Sequence, residues 1–125
     1  MIAALKDDVK ALATSTGRMV GTPGHEAAMS YLLQRMDDVG LIGHGGSYTL
    51  PYQVGVTHFT NLVGYLPGSN ASLPPLLLGA HYDTCGALPG ADDNAAAVAI
   101  LLAVAEHLRQ QSLEHTILFA FFDAE

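Results

Sequence analysis

The sequence predicts an α/β fold, a three-layer α/β/α sandwich around a mixed, mostly parallel central sheet. Three observations point there. Two apolar runs, Leu76 to Ala80 and Thr116 to Phe122, are too short for helices and read as central strands buried on both faces. Between them lies a helical segment from about Asn94 to Gln110, and a strand–helix–strand unit of that length is a parallel crossover. Earlier in the chain, the apolar period changes from helical to two after the turn residues Gly43 to Gly46.

The elements follow in order. Ile2, Leu5, Val9, Leu12 and Ala13 form one stripe of a first helix, Ile2 to Ser15, and Thr14 to Gly21 reads as a loop. Thr22-Pro23 starts a second helix, because Thr caps and Pro suits the first turn. Met29, Leu32, Leu33, Met36 and Val39 make its apolar face, and Gly40 stops it. Tyr48, Leu50, Tyr52, Val54 and Val56 then alternate with polar residues as a half-exposed strand, which Pro51 places at an edge. Asn61 to Leu66 is its expected partner, closed by Pro67-Gly68-Ser69-Asn70. Val98, Leu101, Leu102, Ala105 and Leu108 mark the buried face of the crossover helix.

Composition bounds the function. With 125 residues the chain makes one domain, and an apolar half with only 14% charged residues excludes disorder. Five basic against 12 acidic residues give a net charge of −7, which repels nucleic acid and anionic membranes. No apolar run approaches the roughly 20 residues of a membrane span. The start, Met1 to Asp8, turns charged too early for a signal peptide, so the expected location is cytoplasmic. A single cysteine, Cys85, excludes an internal disulfide framework.

Ligands in open α/β sheets bind beyond the carboxyl ends of the strands. That edge receives His81-Tyr82-Asp83-Thr84 from the first apolar run and Asp123-Ala124-Glu125 from the second. The loop entering the crossover helix adds Pro89-Gly90-Ala91-Asp92-Asp93-Asn94. One imidazole and at least three carboxylates are thus expected to converge. Crowded carboxylates repel one another unless a cation compensates, and His with carboxylates suits zinc. Asp83, two residues after His81 along an extended chain, points to the same side and is placed to orient the ring.

These segments, in the order Gly79-Ala80-His81-Tyr82-Asp83-Thr84, Pro89 to Asn94, and Phe121-Phe122-Asp123-Ala124-Glu125, closely resemble the co-catalytic di-zinc aminopeptidases. These are the bacterial leucyl-aminopeptidase type, related to plasma glutamate carboxypeptidase. Asn61 to Gly68, Arg18 with Gly21-Thr22-Pro23-Gly24, and Tyr31-Leu32 extend the resemblance over nearly the whole chain. It implies that residues 1–125 are the N-terminal portion of a zinc-peptidase catalytic domain, with two zinc ions in the complete site. His81 would ligate one zinc, Asp83 would orient His81, and Asp93 would bridge both metals. Glu125 would be the general base, and Asp93–Asn94 a non-proline cis peptide. The implied reaction is hydrolysis of the N-terminal peptide bond of a peptide substrate by a metal-activated water. A glutaminyl-cyclase-like acyl transfer with one zinc is the alternative enzyme class, and a non-catalytic self-associating fragment is the alternative outside catalysis.

The family pattern also needs a second Glu after the base, a later Asp and a later His, none of which is present. Weak metal binding and no peptidase activity by the chain alone are therefore expected, with an unfinished sheet that self-associates through an exposed C-terminal strand. Asp92 is expected to cap the following helix. Asp7-Asp8 and Asp37-Asp38 are expected to be solvated. The remaining histidines, His25 among them, are expected at surface or internally satisfied positions.

Overall fold

The computed structural model describes every residue from Met1 to Glu125. Three helices, α1 (Ile2–Leu12), α2 (Pro23–Asp38) and α3 (Ala96–Leu108), accompany five strands. The strands are β1 (Ile42–Gly43), β2 (Thr49–Val54), β3 (Thr57–Leu66), β4 (Leu76–His81) and β5 (Ile117–Phe122). They form one sheet in the order β1-β3-β5-β4, with β2 also paired to β3.

The second helix begins as expected. Thr22 sits outside it in an extended conformation, its hydroxyl accepts from the His25 N–H, and Pro23 opens the first turn. Pro51 lies in β2, whose only partner is β3, so its missing N–H costs no ladder bond in the interior. The crossover β4–α3–β5 brings two parallel strands side by side, from Leu76↔Ile117 to His81↔Phe122.

The α/β class and the mixed sheet are as expected, but the balance of strand directions is not. β1, β2 and β5 all run antiparallel to β3, so β4–β5 is the one parallel pair. The connection from β2 to β3 is a short hairpin, which cannot reverse the chain into a parallel pair. Within this chain the helices pack on one face of the sheet. Leu62 and Leu66 of β3, with Ile117, Phe119 and Phe121 of β5, share one core with residues of all three helices, including Leu12, Leu32, Met36, Val98 and Leu102. Alternation puts Val63, Tyr65, Leu118 and Phe122 on the opposite face, which no helix of this chain covers.

Two expectations about the strands are corrected by this arrangement. β5 is flanked by β3 and β4, so the C-terminal strand has no free edge. β4, expected to be central, is an edge strand, where Leu76, Leu77 and Leu78 are 50%, 57% and 38% exposed. An apolar run cannot reveal by itself whether a neighbour lies beyond it. Asp8 corrects a third expectation, because it is buried rather than solvated. Its carboxylate takes a two-pronged bond from Arg35 and a third from the Tyr31 hydroxyl, tying α1 to α2. No helix is long and apolar enough to cross a membrane.

Candidate metal centre

The last residue of β4 is His81, on the sheet face that the helices leave open. Beyond it the chain runs through Tyr82, Asp83 and Thr84, all buried. Residues 91–95 then form an irregular turn before α3, in which Asp93 and Asn94 leave helical backbone angles. The peptide between them is cis. This turn brings Asp93 back to His81, whose Nε2–H donates to Asp93 Oδ1 at 3.0 Å.

The other ring nitrogen is unsatisfied. His81 Nδ1 is buried without a hydrogen-bond partner, although Asp83 Oδ1 stands 3.3 Å away. Asp83 Oδ1 also accepts from the main-chain N–H of Glu125 at 3.2 Å, which places the start of that residue beside the ring. His81, Asp83, Asp93 and the main chain of Glu125 are therefore brought together. The side chain of His81 is 15% exposed, whereas that of Asp93 is 85% exposed, so the pair opens to solvent through the carboxylate.

Not every expected carboxylate joins them. Asp123 turns into the protein, where its Oδ1 accepts from His25 Nε2–H at 2.8 Å and its Oδ2 from the Thr60 N–H at 2.9 Å. Its main chain is held as well, the N–H by Asn61 Oδ1 and the carbonyl by the Tyr52 hydroxyl. His25 stacks on Tyr82 at a centroid distance of 5.3 Å. The hydrogen bond to Asp123 raises the His25 pKa above its usual value, against the opposing effect of burial. Burial pushes the Tyr82 phenol up, and its hydroxyl donates to the Thr60 carbonyl. Asp92 is exposed, and neither the turn at 91–95 nor α3 has a side-chain cap, so the capping role expected of it is not present. Cys85 is exposed and free.

Two sets of contacts gave no local signal in the sequence. The His25–Asp123 pair joins residues 98 apart. Arg18, 1% exposed, donates from its guanidinium to the carbonyls of Leu12, Tyr82, Pro89 and Gly90. Burial lowers the Arg18 pKa, and the charges of Asp83 and Asp93 offset part of that.

Ala124, between Asp123 and Glu125, has a φ of 62°, a left-handed conformation that favours glycine. Ala124→Gly is expected to raise stability by up to about 1 kcal/mol, because relief of the side-chain clash outweighs the extra freedom of the unfolded chain. Chemical denaturation checks this, and a variant less stable than the parent would contradict it.

An imidazole nitrogen and a carboxylate oxygen within 3.0 Å, with a second carboxylate at the other ring nitrogen, suit a zinc-type cation. No group of three or more His, Cys, Asp or Glu side chains forms a ligand cluster. The chain thus presents two donors of a set that normally numbers three or four from protein.

Comparison with known proteins bears on family and fold. Residues 61–125 match the pattern of peptidase family M28. The chain is similar to a vacuolar membrane protease of Candida albicans, 30% identical over 108 residues, which make up 84% of this chain and 13% of that protein. It superposes on a Zn-dependent exopeptidase from Parabacteroides distasonis with a TM-score of 0.83 at 22% identity, covering 100% of this chain and 47% of that one. A glutaminyl cyclase from Porphyromonas gingivalis gives a TM-score of 0.82 at 24% identity, with 100% and 48% covered. At those identities the superpositions establish the fold. The chain spans a small part of its curated relative and under half of either solved chain.

Proposed function

Because this chain belongs to peptidase family M28, we propose that it supplies part of the active site of a zinc-dependent exopeptidase, an aminopeptidase acting on the N-terminal peptide bond. The observation that carries this reading is the pairing of His81 Nε2 with Asp93 Oδ1, backed by Asp83 at the other ring nitrogen. His81 and Asp93 would hold zinc. When bound there, zinc would polarise the scissile carbonyl and acidify the attacking water. With zinc on Nε2 the ring proton would sit on Nδ1, and Asp83 Oδ1, 3.3 Å away, would accept it, orienting the ring and making the imidazole a stronger ligand. Glu125, whose backbone is tied to Asp83, would take the proton from the attacking water and return it to the leaving amine.

A second reading is acyl transfer of the glutaminyl-cyclase kind, supported by the same fold in those enzymes. The intact Asp92-Asp93-Asn94 triplet favours hydrolysis. The two readings separate in one assay with zinc added, run on a protein that carries the complete donor set of the family, using an aminoacyl-anilide and a peptide that begins with glutamine. Anilide hydrolysis that falls about 10²–10⁴-fold in Glu125→Gln supports the aminopeptidase. Loss of ammonia from the glutaminyl peptide with an inert anilide supports the cyclase. Self-association belongs to the proposal too, through the free edge of β4 rather than β5, because an unpaired apolar edge is a template for pairing.

A further inference from the structure

Arg18 is the most deeply buried cation in the molecule, and no carboxylate lies in ion-pair contact with it. Its nitrogens are used on backbone instead. Nε–H donates to the Tyr82 carbonyl at 2.6 Å, Nη1 to Leu12 and Pro89 at 2.8 Å each, and Nη2 to Gly90 at 3.1 Å. The Arg18 main chain makes a reciprocal tie to Thr84, its N–H reaching the Thr84 hydroxyl at 2.7 Å and its carbonyl accepting the Thr84 N–H.

The acceptors are informative. Tyr82 lies between His81 and Asp83, and Pro89 and Gly90 open the turn that delivers Asp93. One guanidinium therefore clamps the two segments that carry the donor pair, and fastens both to the end of α1. The clamp is close-fitting, because a Cβ on Gly90 would come within 2.9 Å of Arg18 Nη2. A buried charge is a costly way to fill a core. A rigid planar fork with five donors can join three separate backbone segments, which neither an apolar side chain nor a lysine can do.

We propose that Arg18 is a positioning residue that sets the separation of His81 and Asp93 by fixing the backbone beside each. The proposal rests on the zinc reading for its purpose, but its geometry exists in the metal-free chain. The test uses the full 125-residue chain as wild type, Arg18→Met and Arg18→Lys. Cooperative thermal unfolding establishes that each variant folds. Nitrogen NMR shifts of the His81 ring, without metal, report whether Nε2–H is held by Asp93. Calorimetric titration with zinc reports affinity.

Both variants are expected to give averaged ring shifts like those of free imidazole, and zinc affinity about 10- to 100-fold weaker. The lysine variant should be no better than methionine, since it keeps the charge and loses the fork. Unchanged ring shifts and zinc affinity in a folded variant would overturn the proposal. Should neither variant fold, Thr84→Val, which loosens the same clamp from its main-chain side, takes their place with the same readouts. If wild type binds zinc no better than His81→Ala, two donors do not hold the metal in this chain alone, and the metal-free ring shifts decide the role of Arg18.

Discussion

Replacing His81 or Asp93 by Ala is expected to weaken zinc binding by the chain at least about 100-fold, to the level of adventitious sites. The magnitude follows from a comparison. Removing a partner that only orients a metal-binding histidine commonly costs about 10- to 100-fold, and these residues would be the donors themselves. Asp83→Asn is expected to fall within that smaller range, because it leaves both donors and removes only the carboxylate that would accept from His81 Nδ1–H in the zinc-bound state. Zinc titration with elemental analysis after gel filtration checks the order. Equal, modest losses in all three variants would show that zinc is held elsewhere. Zinc retained in wild type near two per chain would mean that another copy completes the donor set.

Asp123→Ala is expected to lose about 3–5 kcal/mol of stability, the range for breaking one side of a buried pair. The pair is buried on both sides, and the change also strands the Thr60 N–H and removes the partner of His25. Its pH dependence has a definite sign. The folded pKa of His25 lies above its usual 6.5, raised chiefly by the bond to Asp123. The stability it contributes is therefore complete below about pH 6.5 and is lost as pH rises through the folded pKa. Melting temperatures of wild type and Asp123→Asn should differ most in mild acid and converge toward alkaline pH. A gap that stays constant, or widens with pH, would remove the charged pair from the account.

What could be read in advance depended on how local the cause is. The Thr22-Pro23 start of α2, the β2 edge marked by Pro51 and the crossover from β4 to β5 rest on adjacent residues, and all three are present. The cis peptide at Asp93–Asn94 follows from motif resemblance and is also present. The exposure of β4 was not legible, because the same leucine run serves a central strand or a bare edge equally well. Asp8 did leave a signal. It lies three residues after Leu5 and four before Leu12, on the stripe that α1 buries. His25 and Asp123 left none, since each partner is specified only by the fold. Arg18 stood out only within the segment of family resemblance, and its contacts left no signal because its acceptors are carbonyls, which every residue has.

Leu76, Leu77 and Leu78 line the free edge of β4, and beyond Pro74-Pro75 at its start no lysine or proline blunts it. Pairing of two such edges is opposed by the net charge of −7, a repulsion that acts across solvent. Ionic strength shortens its reach, from about 10 Å in 0.1 M salt to about 3 Å in 1 M. Contact between leucines feels no such screening. Light scattering on a salt gradient should therefore show mass rising with salt, and a charged substitution at Leu77 should hold it down. The colloidal behaviour of this protein is thus a contest between a long-range charge and a short strip of bare sheet, and the buffer decides which prevails.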